Sequence, residues 1–253
     1  MLQRLVNKHV LLTGGSGGIG RYLLQGLLRE GATVTVMDIH SAEEAFALAG
    51  SDKARFEKCD LSDGDEIRAS VARTERSAGG IDMLVHCAAH QPRRPFEEIP
   101  VAQWRRTMSV NLDALFHLAQ AVVPNMKKRA WGRIVSFTST TFNEGTPEHL
   151  DYVSSKAGII GATRVLAKEL GKHGITVNAI SPGLVKTQTA AKAVDEMVAM
   201  GYPNYFDLYV TQQSLKRNLV PQDMVGPLIF LLSDEAAAIS GQTLLVDGGK
   251  EHS

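Results

Sequence analysis

The chain has 253 residues, of which 44% are hydrophobic and 21% charged, ordinary values for a globular protein long enough to bury a full core. Its 27 Lys and Arg balance 27 Asp and Glu, so no global field favours nucleic acid or an anionic membrane. The two cysteines, Cys59 and Cys87, make no disulfide framework, no apolar run reaches the roughly 18 residues a membrane span needs, and the opening MLQRLVNKHVLLTGG lacks a signal-peptide pattern, so a soluble cytoplasmic protein with neither nucleic-acid nor membrane partner is expected.

In chain order, short β-branched runs alternate with longer amphipathic ones. His9–Thr13 reads as a strand, followed by a helix over Ile19–Glu30 whose Ile19, Leu23, Leu24, Leu27 and Leu28 form one apolar face. Strand Thr33–Met37, helix Ala42–Ala49, strand Arg55–Cys59, helix Glu66–Ser77 and strand Met83–Cys87 continue the rhythm. A long helix is predicted over Val101–Arg129, then strand Arg133–Phe137, helix Tyr152–Lys172, strand Thr176–Ile180, helix Asp223–Leu232 and strand Thr243–Val246. Near-continuous apolar strands between helices predict an α/β fold, a parallel sheet of about seven strands covered on both faces. Residues 1–253 read as a single domain. The stretch 184–220 breaks the rhythm as an irregular insertion of the kind used for lids and binding loops.

The first strand runs into Thr13-Gly14-Gly15-Ser16-Gly17-Gly18-Ile19-Gly20, and a helix follows at once. Glycines let the chain turn tightly and bring backbone N–H groups against a pyrophosphate at the helix's positive end. The second strand leads to Asp38, twenty-four positions after Gly14, where a carboxylate accepts hydrogen bonds from ribose hydroxyls. The same carboxylate repels an added 2′-phosphate, and neither the glycine loop nor Ile39-His40 offers a lysine or arginine to hold one. Arg21 beside Asp38 makes a poor phosphate pocket, so NAD is favoured over NADP.

The glycine spacing G-x-x-x-G-x-G, together with Tyr152-x-x-x-Lys156, resembles the short-chain dehydrogenase/reductase family over essentially the whole chain. Ser139 stands at the family's serine spacing, Asn111 matches its helical asparagine, and Asp60 its adenine-contacting aspartate. Pro182-Gly183-Leu184-Val185-Lys186-Thr187 matches the segment that contacts the nicotinamide carboxamide, and Ser240-Gly241-Gln242 with Val246-Asp247-Gly248-Gly249 the usual ending. The resemblance implies a Rossmann-type doubly wound domain and a catalytic set of Asn111, Ser139, Tyr152 and Lys156. It implies cofactor contacts by Gly14, Ser16, Gly18, Ile19, Gly20, Asp38, Asp60, Leu61, Ala88, Tyr152, Lys156, Pro182, Gly183, Val185 and Thr187. It also implies a homotetramer formed through the helices predicted over Val101–Arg129 and Tyr152–Lys172, and no metal. One departure stands out: the family's Asn-Asn-Ala-Gly is replaced by His86-Cys87-Ala88-Ala89. His86 is expected to supply one side-chain hydrogen bond but not an amide's paired donor and acceptor, Ala88 to keep its backbone contact, and Cys87 to be a small buried filler.

Hydride transfer between an alcohol and NAD needs a group that takes or gives the hydroxyl proton. A free phenol, with a pKa near 10, is a poor base at neutral pH. Positions i and i+4 share a helix face, so Lys156 is expected to lie by Tyr152 and favour its phenolate. By resemblance Lys156 also holds the nicotinamide ribose, Asn111 holds a relay water, and Ser139 binds the substrate oxygen. Thr141, His149, Tyr202 and Tyr205 are candidate substrate contacts. The rings of Tyr202, Tyr205, Phe206 and Tyr209, with Phe142, suit a small aromatic or cyclic alcohol or ketone, or else pack the lid or a subunit contact. The expected function is NAD-dependent hydride transfer between a secondary alcohol and its ketone. A 3-oxoacyl-[acyl-carrier-protein] reductase, for which Lys127, Lys128 and Arg129 form a basic cluster, is the second reading. A catalytically silent NAD-sensing protein is the third.

Overall fold

A computed structural model describes residues 3–251. Seven strands form one parallel sheet in the order β3-β2-β1-β4-β5-β6-β7. They are β1 (His9–Thr13), β2 (Thr33–Asp38), β3 (Ala54–Lys58), β4 (Met83–His86), β5 (Gly132–Phe137), β6 (Ile175–Pro182) and β7 (Thr243–Val246). The fold is the expected Rossmann-type doubly wound α/β domain. Every residue of β1, β4, β5 and β6 is buried, which is why those strands read as continuous apolar runs rather than alternating ones.

Among the described residues ten α-helices accompany the sheet: α1 (Gly20–Arg29), α2 (Glu43–Ala49), α3 (Gly64–Ala78), α4 (Val101–Met108), α5 (Ala114–Lys128), the single turn α6 (Thr141–Glu144), α7 (Leu150–Leu170), α8 (Gln188–Ala199), α9 (Tyr205–Gln212) and α10 (Val225–Leu232). One core cluster joins α1 and α10 to one sheet face through Leu23, Leu27, Leu228 and Leu232. The other joins α3, α5 and α7 to the opposite face through Ile67, Leu118 and Ile159. No helix among the described residues is long and apolar enough to cross a membrane.

Two expectations are corrected. The helix predicted over Val101–Arg129 is not continuous: Ser109–Asp113 forms a π turn between α4 and α5, the extra residue per turn placing Asn111 at a local widening. The stretch 184–220 is not irregular, since it folds into α8 and α9. Thr187 caps α8 by accepting from Ala190 N (3.1 Å), and Asn204 caps α9 by accepting from Phe206 N (3.0 Å). Val185 pairs with Leu219 as an isolated bridge, closing the base of this excursion.

Parallel pairing brings the carboxyl ends of the strands to one edge. Thr13 of β1 lies opposite His86 of β4, which lies opposite Ser136 of β5. The strand order reverses between β1 and β4, so a crevice opens there, the usual ligand position in open α/β sheets. Helix α7 carries Tyr152 and Lys156 to this edge, and Ile159, fully buried one turn beyond Lys156, seats the helix in the core. Ile159→Ala is expected to cost about 2–5 kcal/mol of unfolding free energy in urea titrations; a loss below about 0.5 kcal/mol would show that α7 is held by other contacts.

Candidate active site

The glycine loop is shaped by close approaches. Gly14 has φ +73°, and a Cβ there would sit 2.7 Å from the Ala88 backbone. At Gly20 a Cβ would lie 2.0 Å from the Gly14 carbonyl oxygen, and at Gly18 2.8 Å from the Thr187 side chain. The loop thus touches both the segment after β4 and the segment after β6. Helix α1 has no side-chain cap, and among the described residues no backbone hydrogen bond uses the N–H of Gly18 or Ile19. Such orphan donors at a helix N-terminus fit a pyrophosphate. Asp38, 8% exposed, accepts from Ser16 Oγ (2.5 Å), Ser16 N (3.2 Å) and His40 N (3.1 Å), which pins the loop to the end of β2. The Asp60 carboxylate is engaged by Arg106 Nη1 (3.0 Å) and by Ser62 N (2.9 Å). Burial pushes its pKa up, but these partners outweigh that and hold it below the usual carboxylate range. Leu61 beside it is buried.

At the other side of the crevice, Tyr152 and Lys156 are 7% and 1% exposed. The Lys156 ammonium donates to the Phe137 carbonyl (2.7 Å) and lies 5.6 Å from the Tyr152 ring centre. Thr138 Oγ1 donates to the Lys156 carbonyl (2.9 Å), a second tie between the end of β5 and α7. The expectation that lysine depresses the phenol is corrected here. Burial dominates: it pushes Tyr152 up to about 12, against the Ser139 side chain, which lowers it. Burial likewise brings Lys156 down to about 8. Ser139 Oγ accepts from Thr141 N (3.3 Å) and Thr141 Oγ1 (3.0 Å). Thr141, a candidate substrate contact, thus lies against Ser139.

The start of α7 is fixed by a buried polar web. Asp151, fully buried, accepts from Thr107 Oγ1 (2.8 Å), Gln103 Nε2 (3.1 Å) and Tyr152 N (2.9 Å). Asn111 accepts from His90 N (2.7 Å) and donates to His90 O (3.0 Å) and Ser155 Oγ (2.9 Å). The asparagine amide therefore ties the π turn to the helix carrying Tyr152 and Lys156. Sequence reasoning missed Asp151, Thr107 and Ser155; a carboxylate directly before the tyrosine was visible, but its burial was not.

The expectation for His86 is also corrected. Both ring nitrogens are engaged, Nδ1 with Thr13 Oγ1 (3.0 Å) and Nε2 with the Asn111 carbonyl (3.0 Å). Burial, aided by the nearby Lys156 charge, lowers its pKa to about 4. Burial pushes the Cys87 thiol up to about 12, which fits a filler. Thr13 Oγ1 also accepts from Ala88 N (3.2 Å).

Pro182 ends β6, Gly183 N donates to Val246 O (3.1 Å), and Val185 and Thr187 lead into α8. Of the lid rings, Phe206 is 3% exposed with Lys186 Nζ over its face, and Tyr209 sits in a polar cluster with Thr140, Glu144 and Lys250. These two rings fasten the α8–α9 excursion. Tyr202 and Tyr205 remain 56% and 41% exposed. Arg93 lies over Tyr205 and pairs with Glu148 (2.6 Å), and His149 meets the edge of the Tyr152 ring (6.1 Å between centres). Of the expected substrate set, Thr141 and His149 adjoin Ser139 and Tyr152, Tyr205 stands at the rim, and Tyr202 lies farther out in the turn after α8. The Glu144–Lys250 ion pair (2.9 Å) joins residues more than a hundred positions apart, a link with no local signal in the sequence. No group of three or more His, Cys, Asp or Glu side chains among the described residues is arranged to hold a metal.

A doubly wound sheet with an uncapped glycine loop at its switch point, facing a buried tyrosine–lysine pair, defines a dinucleotide-dependent oxidoreductase. Residues 14–251 match a family model described as enoyl-(acyl carrier protein) reductase. A probable galactose dehydrogenase, GalD, of Rhizobium meliloti (strain 1021) is 38% identical over 97% of this chain and 95% of its own. A putative short-chain alcohol dehydrogenase from Sinorhizobium meliloti 1021 superposes with a TM-score of 0.89 at 31% identity, covering 99% of this chain and 98% of its own. A putative NAD(P)-dependent gluconate 5-dehydrogenase from Beutenbergia cavernae, solved with bound NADP at low occupancy, superposes with a TM-score of 0.87 at 33% identity and covers 99% of each chain. The chain belongs to the short-chain dehydrogenase/reductase family and is an oxidoreductase acting on alcohols.

Because the folded His86 holds its proton only below about pH 4, whereas an unfolded histidine does so below about 6.5, the unfolded state binds more protons in between. The neutral ring's contribution is fully present above pH 6.5 and is lost as pH falls toward 4. Urea unfolding at pH 7.5 and pH 5 should show a larger loss for the wild type than for His86→Asn; equal losses would mean that the ring accepts a proton freely.

Proposed function

We propose that this chain is an NAD-dependent dehydrogenase or ketoreductase that moves hydride between a secondary alcohol of a small cyclic or polyhydroxylated molecule and the corresponding ketone. The observation that carries the reading is the burial of Tyr152 and Lys156 together on one face of α7, beside Ser139 and across the crevice from the glycine loop. The nicotinamide ring, when bound, supplies or accepts the hydride, and its oxidised form brings a positive charge that favours the phenolate.

The chain's own residues divide the remaining work. Gly14, Ser16, Gly18, Ile19 and Gly20 hold the pyrophosphate; Asp38 holds the adenosine ribose; Asp60 and Leu61 border the adenine. Ala88, Pro182, Gly183, Val185 and Thr187 line the nicotinamide end. Ser139 Oγ accepts from Thr141 N and Thr141 Oγ1, which leaves its O–H to donate to the Tyr152 oxygen beside it or to the substrate oxygen. Tyr152 handles the proton. In the reductive direction a phenol held near 12 is already in the acid form; in the oxidative direction the same burial works against it, and the positive charge of the oxidised cofactor would oppose that cost. Lys156 holds the nicotinamide ribose, and Asn111 holds the relay.

The NAD preference rests on Asp38, whose buried carboxylate at the end of β2 would repel a 2′-phosphate on the adenosine ribose. The gluconate 5-dehydrogenase neighbour with NADP bound makes this a real choice. The substrate class leans on two supports. Galactose and gluconate, named for the relatives, are polyhydroxylated, and the rim offers alternating donors and acceptors in Arg93, Glu148 and His149 rather than the ring-lined wall expected from Phe206 and Tyr209. A carrier-protein substrate has weaker support, because Lys127 and Lys128 are the exposed last turn of α5. A homotetramer is supported by the apolar faces of α5 and α7, where Phe116 and Val165 are each 56% exposed. A cytoplasmic location accords with the balanced charge.

A panel of sugar acids, aldoses and cyclic alcohols assayed with NAD and NADP at the nicotinamide absorbance band is expected to give turnover with NAD. Tyr152→Phe should keep the NAD dissociation constant while kcat falls about 100- to 10,000-fold; an active variant would remove the phenol from the reaction. In separate titrations, Asp38→Asn should narrow the gap between NAD and NADP, and tighter wild-type binding of NADP would refute the role given to the carboxylate.

A further inference from the structure

His86 borders the site assigned above, and the inference drawn from it rests on that assignment. The ring is fully buried at the end of β4, between strand β1 and the π turn. Thr13 Oγ1 is approached by three groups: Cys87 N (3.2 Å), Ala88 N (3.2 Å) and His86 Nδ1 (3.0 Å). The two backbone groups are donors, so they occupy the hydroxyl's lone pairs. The hydroxyl's single hydrogen then has one partner left, and Nδ1 must accept it. On the far side of the ring the partner of Nε2 is the Asn111 carbonyl, which only accepts, so Nε2 must carry the hydrogen. Both ends independently require the same neutral form, protonated at Nε2.

We propose that His86 is a positioning residue, locked as the neutral Nε2–H tautomer between Thr13 and the Asn111 carbonyl, that sets the π turn against the candidate site and aligns the backbone of Ala88. Its consequences reach the reacting groups through two routes. The first runs from Asn111, whose main chain His86 holds and whose amide grips Ser155, the residue before Lys156. The second runs through Thr13, which gathers the N–H groups of Cys87 and Ala88 and so fixes the backbone on which the nicotinamide end would rest. An imidazole in this tautomer presents one acceptor and one donor on opposite edges, the pair an asparagine amide offers at closer span. The nearby charged group is Lys156 from α7, and a second cation at His86 would repel it. Next to it in the chain, the Cys87 thiol is pushed up to about 12 by burial and stays neutral.

Long-range proton–nitrogen correlation spectra of the full-length protein with ¹⁵N-labelled histidine test this without any substrate. The His86 signal, assigned by its loss in His86→Asn, should show a protonated Nε2 and a bare Nδ1 from pH 8 to pH 5. In Thr13→Val the Nδ1 resonance should move, because its hydroxyl donor is gone. A proton on Nδ1, or titration with an ordinary midpoint near 6.5, overturns the proposal. Kinetics give the second readout: His86→Leu should lower kcat about tenfold to a hundredfold with little change in NAD affinity, and His86→Asn should restore most of it. A leucine variant with wild-type kcat overturns the positioning role. If the spectra are as expected and no alcohol is turned over, the inference on the tautomer stands and the proposed function fails.

Discussion

The arrangement depends on a lysine that has no business being buried unless something holds its charge. Lys156 is 1% exposed, and its ammonium donates to the Phe137 carbonyl at the end of β5. Burying a cation is costly without such a partner. The contact fixes where α7 sits against the sheet, and Thr138 repeats the tie one residue further on. Tyr152, one helical turn earlier, inherits its place from that registration. Its phenol is consequently enclosed, and enclosure is what drives its pKa upward.

Around that pair the fold spends its polar groups on rigidity rather than on display. Asp151, Asn111, Thr107, Ser155 and His86 are all buried and all hydrogen-bonded to neighbours on different elements. Such fully satisfied networks define a single geometry, whereas a half-satisfied one would destabilise the crevice. The substrate side is built differently. Tyr205, Arg93 and Glu148 are partly exposed, and the α8–α9 excursion is fastened at Phe206 and Tyr209. Rigid chemistry below an adaptable rim is the division that lets one family serve many alcohols.

Much of this was legible in the sequence because the signals were local. The glycine cluster, the strand before it and the helix after it follow one another directly between His9 and Arg29, and all seven strands were found to within two residues at each end because short β-branched or apolar runs alternate with helical ones. The break at Ser109–Asp113 was not legible: SVNLD carries no glycine or proline, and a π turn differs from an α turn by one carbonyl's choice of partner. The lid helices were obscured by Gly201, Pro203 and Asn204, which separate two short amphipathic stretches and make the whole read as loop. The caps Thr187 and Asn204 were the available signals. Depression of the Tyr152 phenol by Lys156 followed from spacing alone, and spacing does not carry the desolvation that outweighs it. His86 shows the same limit, since a residue type tells how many hydrogen bonds are possible but not which partners the fold sets on either side of the ring.

The central claim is that an enclosed phenol becomes a proton acceptor only when positive charge is brought to it. Ultraviolet difference titration of the wild type against Tyr152→Phe, with and without saturating NAD, measures this directly. The account predicts a Tyr152 midpoint near 12 in the free protein that falls by at least one unit when oxidised cofactor is bound. A midpoint that stays where it was, or a phenol already ionising near 7 in the free protein, would contradict it.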